Sequence, residues 1–267
     1  MVEASGQARS NPFLERLRAG APTLLLGIRS SRTADVVRIA GSTGHHGIMI
    51  DLEHSTMSLD VAGALCATAA DLGLTPFVRI PEREYGTIGR LLDCGAHGII
   101  APRVETVADA ELISRACRFP PAGQRSQLAM VPQHGMRPTP ARELNPALDR
   151  ATIVQILLET PEGIRNAEAI AALDGVDMLA IGANDLTAEL GVPGQYGHPA
   201  LRDAIAAVGE ACKRHDKLLM VGGIADQAVL DSLPALGVSP LHLTGFDTDL
   251  LFAAAKSRAA AFTEPRH

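Results

Sequence analysis

Residues 47–79 read GIMIDLEHSTMSLDVAGALCATAADLGLTPFVR. The stretch opens on an apolar run, Gly47–Asp51, passes through a helical segment, Leu59–Asp71, and closes on a second apolar run, Thr75–Arg79. Between helix and second run lies Asp71-Leu72-Gly73, where glycine ends the helix by taking the left-handed conformation that L side chains resist. A strand, a crossover helix and another strand in this order make one unit of a parallel sheet. Neither run alternates apolar with polar residues, as expected for strands covered on both faces.

The unit repeats in both directions. Candidate strands are Thr23–Ile28, Gly47–Asp51, Thr75–Arg79, Gly98–Pro102, Thr152–Leu158, Met178–Ile181, Leu218–Val221 and Leu241–Thr244, eight in all. Further helical segments are Tyr85–Asp93, Val107–Cys117, Pro161–Ala172, Pro199–His215 and Ala225–Leu236. The glycine stop recurs in Asp93-Cys94-Gly95 and Ala235-Leu236-Gly237. No linker divides the 267 residues, so residues 1–267 are expected to form a single α/β domain, a (β/α)8 TIM barrel. A doubly wound open sheet would want a glycine-rich fingerprint after strand one, and Ile28-Arg29-Ser30-Ser31 is not one. Two segments break the rhythm. Phe119–Arg150, rich in Pro, Arg and Gln, is long enough to predict a substrate lid, and Gly191–His198 is a Gly/Pro turn region.

Composition removes several classes. Aromatic residues make up 3% of the chain, Trp is absent and the net charge is -6, which disfavours a nucleic-acid binder. Cys66, Cys94, Cys117 and Cys212 lack metal-finger spacing and are expected to be buried thiols in a reducing compartment. Met1–Ser10 is polar, without the apolar core of a signal peptide, and no run of 18 apolar residues exists. A cytoplasmic protein that does not enter membranes is the expectation.

Barrel enzymes build their sites at the C-terminal strand ends, so those ends carry the functional reading. Strand two ends in Asp51, Glu53 and His54, strand three in Arg79, strand four in Pro102-Arg103, strand five in Glu159, and strand six leads to Asn184 and Asp185. Glu159 and Asp185 lie 26 residues apart, about one repeat, on neighbouring strands. Two carboxylates with open positions suit a hard divalent cation such as Mg2+ or Mn2+. Asp185 could equally cap the following helix. His54 is placed to act as a base near neutral pH. Arg79 can stabilise an oxyanion or enolate, or it can simply pair with Asp51 or Glu53. The chain has three lysines, Lys213, Lys217 and Lys256, none at a C-terminal strand end, which removes Schiff-base chemistry. Gly222-Gly223 and Gly245 imitate a phosphate cradle but lack an adjacent Lys or Arg.

These residues resemble the HpcH/HpaI aldolase and citrate lyase family, specifically its metal-dependent class II pyruvate aldolases. The matching motifs are Ile50-Asp51-Leu52-Glu53-His54, Val78-Arg79, Leu91-Leu92-Asp93-Cys94-Gly95, Arg118-Phe119-Pro120-Pro121-Ala122-Gly123-Gln124-Arg125, Glu159-Thr160 and Ile181-Gly182-Ala183-Asn184-Asp185-Leu186-Thr187. The resemblance extends beyond these motifs, from about Leu26 to Phe262.

The resemblance implies a carbon–carbon lyase that reversibly cleaves a 4-hydroxy-2-oxo acid to pyruvate and an aldehyde through a metal-bound enolate. Glu159 and Asp185 would ligate Mg2+, Mn2+ or Co2+, and Arg79 would steady the enolate. His54 would act as base in a dyad with Asp93, with Asp51 and Glu53 in support. Backbone amides near Ala183 and Asn184 would receive the pyruvate carboxylate, and residues 127–137 would contact the aldehyde. It also implies a homo-oligomer, a hexamer or trimer of dimers, with an exchanged last helix at Thr248–Phe262. Two departures stand out: Leu52 replaces a usual Gly, and Leu157 replaces a Gln two residues before the metal Glu. An alternative within the wider family is a lyase acting on a larger 3-hydroxy acid or acyl-CoA, for which Arg118, Arg125 and Arg137 would supply a basic groove. A non-catalytic ligand-binding protein on the same fold is the reading from a different class.

Overall fold

The computed structural model describes residues 11–263, and Met1–Ser10 and residues 264–267 lie outside them. Eight strands form one sheet: β1 (Thr23–Ile28), β2 (Gly47–Asp51), β3 (Thr75–Arg79), β4 (Gly98–Ala101), β5 (Ile153–Leu158), β6 (Met178–Gly182), β7 (Leu218–Gly222) and β8 (Leu241–Phe246). Each pairs in parallel with the next from β1 to β7, and β8 returns to pair with β1. Between β7 and β8 the ladder is open, bridged by the Ser239 N–H donating to Leu219 O at 2.8 Å. The result is a nearly closed (β/α)8 barrel.

Alternation along the strands sorts side chains into two layers. Outward residues such as Ile48, Ile50, Val78, Ile99, Val154 and Ile156 pack beneath the helices. Inward residues Leu25, Met49, Phe77, Ile100, Ile153, Leu157 and Met178 fill the barrel. The helix Pro12–Arg18 seals its lower end by adding Phe13, Leu14 and Leu17 to that inner cluster. Asn11 fixes this plug: its side chain accepts from the Phe13 N–H at 2.9 Å and donates to Ala151 O at 2.6 Å. The Asn-Pro start followed by apolar residues is a helix-entry signal that the strand pattern overshadowed in the sequence.

The expected helices Leu59–Asp71 and Val107–Cys117 form with those bounds. Gly73, Gly95 and Gly237 all adopt positive φ (72°, 115° and 83°), as their helix-ending positions require. β4 stops one residue short of the expectation because Pro102 brings no N–H to the ladder. Cys66, Cys117 and Cys212 are buried, whereas Cys94 is exposed, contrary to expectation. Among the described residues no helix is long and apolar enough to cross a membrane.

The lid expectation fails. Phe119–Arg150 follows the helix Val107–Cys117, which descends from β4, and leads up into β5, so the segment lies at the N-terminal strand ends. It is a packed structure there, with Phe119, Val131, Leu144 and Leu148 forming a cluster of their own. Of the three arginines expected to form a basic groove, Arg118 and Arg125 are internal and Arg137 is exposed. Arg118 is 2% exposed and donates to Asp149 O, Thr152 O, Gly175 O and the Asp177 carboxylate. Arg125 is 4% exposed and pairs with Asp93 at 2.9 Å. Burial of these two guanidiniums leaves Arg137 alone of the expected trio, which is no basic groove for an acyl-CoA.

Candidate active site

The parallel register of β2 and β3 sets Asp51 directly beside Arg79. Both point inward, and Arg79 grips the carboxylate at two points, Nε to Oδ1 at 3.0 Å and Nη2 to Oδ2 at 2.7 Å. Arg29, two residues beyond Gly27 and on the same inward parity as Leu25, reaches the same carboxylate with Nε to Oδ2 at 2.9 Å. Asp51 is fully buried; burial raises its pKa, but Arg79, the His54 N–H and Arg29 together overcome that and hold it below the usual range. Its Oδ1 also accepts the N–H groups of Glu53 and His54, both at 3.1 Å, which shapes the turn carrying His54. The pairing reading of Arg79 is therefore correct, and the same side chain still lines the cavity.

That cavity, about 170 Å3, opens at the C-terminal strand ends. Arg29, His54, Arg79, Glu159, Asn184 and Asp185 line it, with Gly182, Gly222 and Gly223 leaving backbone exposed on one wall. Glu159 is 3% exposed and accepts the Arg103 N–H at 3.0 Å. Its pKa is pushed up to about 7, first by burial and then by the negative charges of Glu53 and Asp185. Glu53 is raised as well, by burial, despite an ionic contact from Arg79 Nη1 at 3.2 Å that lacks hydrogen-bond geometry. Uncompensated repulsion among these carboxylates is what a divalent cation offsets.

The donor set fits such an ion. Among the described residues no cluster of three or more His, Cys, Asp or Glu side chains is arranged to hold a metal, so Glu159 and Asp185 would hold it as a pair. Hard cations of the magnesium type accept few protein ligands and fill the rest with water and substrate oxygens. The capping alternative for Asp185 is not realised: the cap of the helix Ala183–Glu189 is Gly182, leaving Asp185 in the first turn and facing the cavity. The amides of Ala183 and Asn184 belong to that first turn, where N–H groups lack helical partners.

His54 is 56% exposed at the mouth, its Nε2 3.7 Å from Glu53 Oε2. The expected dyad with Asp93 does not form within one chain. Asp93 ends the helix Ile88–Asp93, four residues before His97, whose N–H donates to Pro76 O at the start of β3. It lies at the opposite end of the barrel from His54, paired with Arg125. Any dyad between them needs a second copy of the chain. Residues 127–137 lie at that same lower end, with Gln133 Nε2 donating to Leu92 O and Ala96 O, so within one chain they do not reach the acceptor.

Two lining residues escaped the sequence reading. Arg29 appeared only as part of a missing glycine fingerprint, although its spacing from Leu25 and Gly27 placed it inward. Gln155, 1% exposed and two residues below Leu157 on the same face, leaves its Oε1 unpartnered at the cavity floor.

A sequence profile described as HpcH/HpaI aldolase/citrate lyase matches residues 29–237. The chain belongs to the HpcH/HpaI aldolase/citrate lyase family. It is 40% identical over 219 residues to 4-hydroxy-4-methyl-2-oxoglutarate aldolase of Hapsidospora irregularis, covering 81% of each chain. It is 34% identical to 4-hydroxy-2-oxo-heptane-1,7-dioate aldolase of Klebsiella pneumoniae, covering 95% of this chain and 94% of the other. Among solved structures, an HpcH/HpaI aldolase from Desulfitobacterium hafniense superposes with a TM-score of 0.86 at 24% identity, over 96% of this chain and 98% of that one. That likeness supports the barrel, and the HpcH/HpaI relatives above are carbon–carbon lyases by name.

Proposed function

We propose that this protein is a divalent-metal-dependent aldolase that reversibly cleaves a 4-hydroxy-2-oxo acid to pyruvate and a second carbonyl fragment. The observation that carries the reading is Glu159 and Asp185 sharing one cavity with Arg79 and His54, with no lysine among its lining residues. Lys217 is held at the N-terminal end by Leu173 O and Val176 O. A divalent ion, when bound, would supply Lewis acidity toward the 2-oxo group. Glu159 and Asp185 would hold it, and the amides of Ala183 and Asn184 would receive the pyruvate carboxylate. Arg79, fixed by Asp51 and Glu53, meets the negative charge that develops on the 2-oxo oxygen. His54 takes the proton of the 4-hydroxyl as the carbon–carbon bond breaks, with Asp93 available to it only from another copy. The names of the aldolase relatives support this chemistry.

The test is pyruvate release from a 4-hydroxy-2-oxo acid, and exchange of pyruvate methyl protons with solvent, with Mg2+, Mn2+ or Co2+ and with EDTA. Loss of both activities in EDTA and their return with metal is expected. Full activity in EDTA would overturn the metal assignment.

The C-terminal helix supports a homo-oligomer. Asp247–Thr263 has no buried residue, and Leu251, Phe252 and Phe262 are 71%, 69% and 71% exposed. Beside the open β7–β8 flank lies an apolar groove of about 460 Å3, lined by Val221, Ile224, Leu230, Leu233 and Val238. A helix with no core of its own and an open apolar groove on the barrel are complementary. Exchange of this helix between copies satisfies both, and removal of residues 247–267 is expected to yield a monomer by light scattering. An unchanged assembly after that truncation argues against exchange.

A further inference from the structure

The strand ends run around the mouth in a fixed order: Arg29 after β1, His54 after β2, Arg79 on β3, Glu159 after β5, Asp185 after β6 and Phe246 on β8. The acid pair therefore faces Arg29 and His54 across the cavity. In the aldolase reading the base acts on the 4-hydroxyl, so the other substituents of C4 lie beside His54. The two cations flanking that position are Arg79 and Arg29. Arg79 is 12% exposed in its side chain and committed to Asp51 and Glu53 through Nε, Nη1 and Nη2. Arg29 differs. Its Nε holds Asp51, but among the described residues neither Nη1 nor Nη2 has an acceptor, and the side chain is 29% exposed to the cavity. Its guanidinium carbon sits 3.8 Å from the centroid of the Phe246 ring, so the plane is locked by a carboxylate at one edge and an aromatic face below. A guanidinium fixed this way presents its remaining N–H fork to an incoming carboxylate in bidentate geometry.

We propose that Arg29 is the receptor for a carboxylate on C4, which makes the preferred second fragment a short 2-oxo acid rather than a simple aldehyde. The inference rests on the aldolase reading. Phe246 and Leu243 beside Arg29 offer an apolar surface for the small remaining substituent on C4, such as a methyl group. The cavity of about 170 Å3 favours a compact adduct over a long-chain one. The step balances without a co-reactant. The 4-hydroxyl proton passes to His54, C4 becomes a ketone carrying its carboxylate, and the C3–C4 electron pair moves to C3. The pair left on C3 then takes a proton to give pyruvate. Cleavage of 4-hydroxy-4-methyl-2-oxoglutarate in this way yields two molecules of pyruvate.

The experiment compares kcat/KM for 4-hydroxy-4-methyl-2-oxoglutarate with that for 4-hydroxy-2-oxopentanoate, which lacks the C4 carboxylate, in the full chain loaded with Mg2+ or Mn2+. The wild type is expected to prefer the carboxylated substrate. Arg29→Gln should reduce that preference by about 30-fold or more, chiefly through KM, and Arg29→Lys should recover part of it. A purely structural loss through Asp51 lowers both substrates together and leaves the ratio intact, which overturns the proposal. Should either variant fail to fold, the wild type still decides. Replacing the C4 carboxylate by a carboxamide must then lower kcat/KM by a similar factor, and equal rates for acid and amide overturn the assignment. Pyruvate proton exchange separates the two readings. Exchange with an unaltered ratio sinks only the Arg29 role, whereas absence of both exchange and cleavage sinks the aldolase reading with it.

Discussion

Gly182 faces Glu159 so closely that a β-carbon on Gly182 would lie 2.5 Å from Glu159 Oε1 and 2.8 Å from its Cγ. The register that pairs Leu158 with Ile181 brings these next positions together, and the missing side chain is what lets the carboxylate stand in the cavity. Glu159 cannot simply swing away, because the Arg103 N–H holds its other oxygen at 3.0 Å. Gly182→Ala should therefore displace the carboxylate and weaken divalent-cation binding by about 10- to 100-fold. Calorimetric titration with Mn2+ reads this directly; wild-type affinity in a folded variant removes Glu159 from the metal site.

Arg79→Ala separates charge stabilisation from metal binding. The substitution leaves Glu159 and Asp185 in place but removes the guanidinium facing them. Turnover should fall by about 100- to 1,000-fold, in line with loss of one pre-placed donor to a developing oxyanion. Manganese affinity should change little by comparison. A variant that retains near-wild-type kcat contradicts the role given to Arg79.

The buried Arg118–Asp177 pair, 2.6 Å apart, ties the segment after the helix Val107–Cys117 to the feet of β5 and β6. Arg118→Leu leaves the Asp177 charge buried without its guanidinium and should destabilise the fold by about 3–5 kcal/mol. Urea unfolding measures it, and a loss under 1 kcal/mol would show that the pair is dispensable. Had the segment been a mobile lid, this substitution would touch substrate affinity first.

His97 sits beneath β4, and burial lowers its pKa from 6.5 to about 4. The unfolded chain takes up its proton as pH falls below 6.5, while the folded chain resists until about 4. Its contribution is thus complete above pH 6.5 and is lost between 6.5 and 4. Between pH 7.5 and 5.0 the wild type should lose about 2 kcal/mol more stability than His97→Asn. Parallel pH dependence in the two proteins would remove His97 as the source.

The barrel was legible because eight apolar runs and three helix-ending glycines each encode local geometry within a few residues. The strand-end reading found His54, Arg79, Glu159 and Asp185 for the same reason: a parallel barrel brings the ends of consecutive strands to one face. What the sequence concealed depends on direction of travel. Asp93 and the segment 119–150 follow helices that return to the lower end, and motif spacing alone does not say which end a loop occupies. Arg29 was hidden by chemistry of another kind, since its role arises from sharing Asp51 with Arg79 and from a ring, Phe246, more than 200 residues away.

The plug of Phe13, Leu14 and Leu17, with the Phe13 ring 5.1 Å from that of Phe77, turns the barrel into a vessel with one opening. Traffic through a single doorway has an order. Under the proposed chemistry the fragment lodged against buried Glu159 waits behind the one beside exposed His54, so pyruvate should depart last. For a substrate that splits into two different fragments, pyruvate should then compete with the intact molecule for the empty enzyme. The partner fragment should instead act as a mixed inhibitor, binding back before the doorway clears.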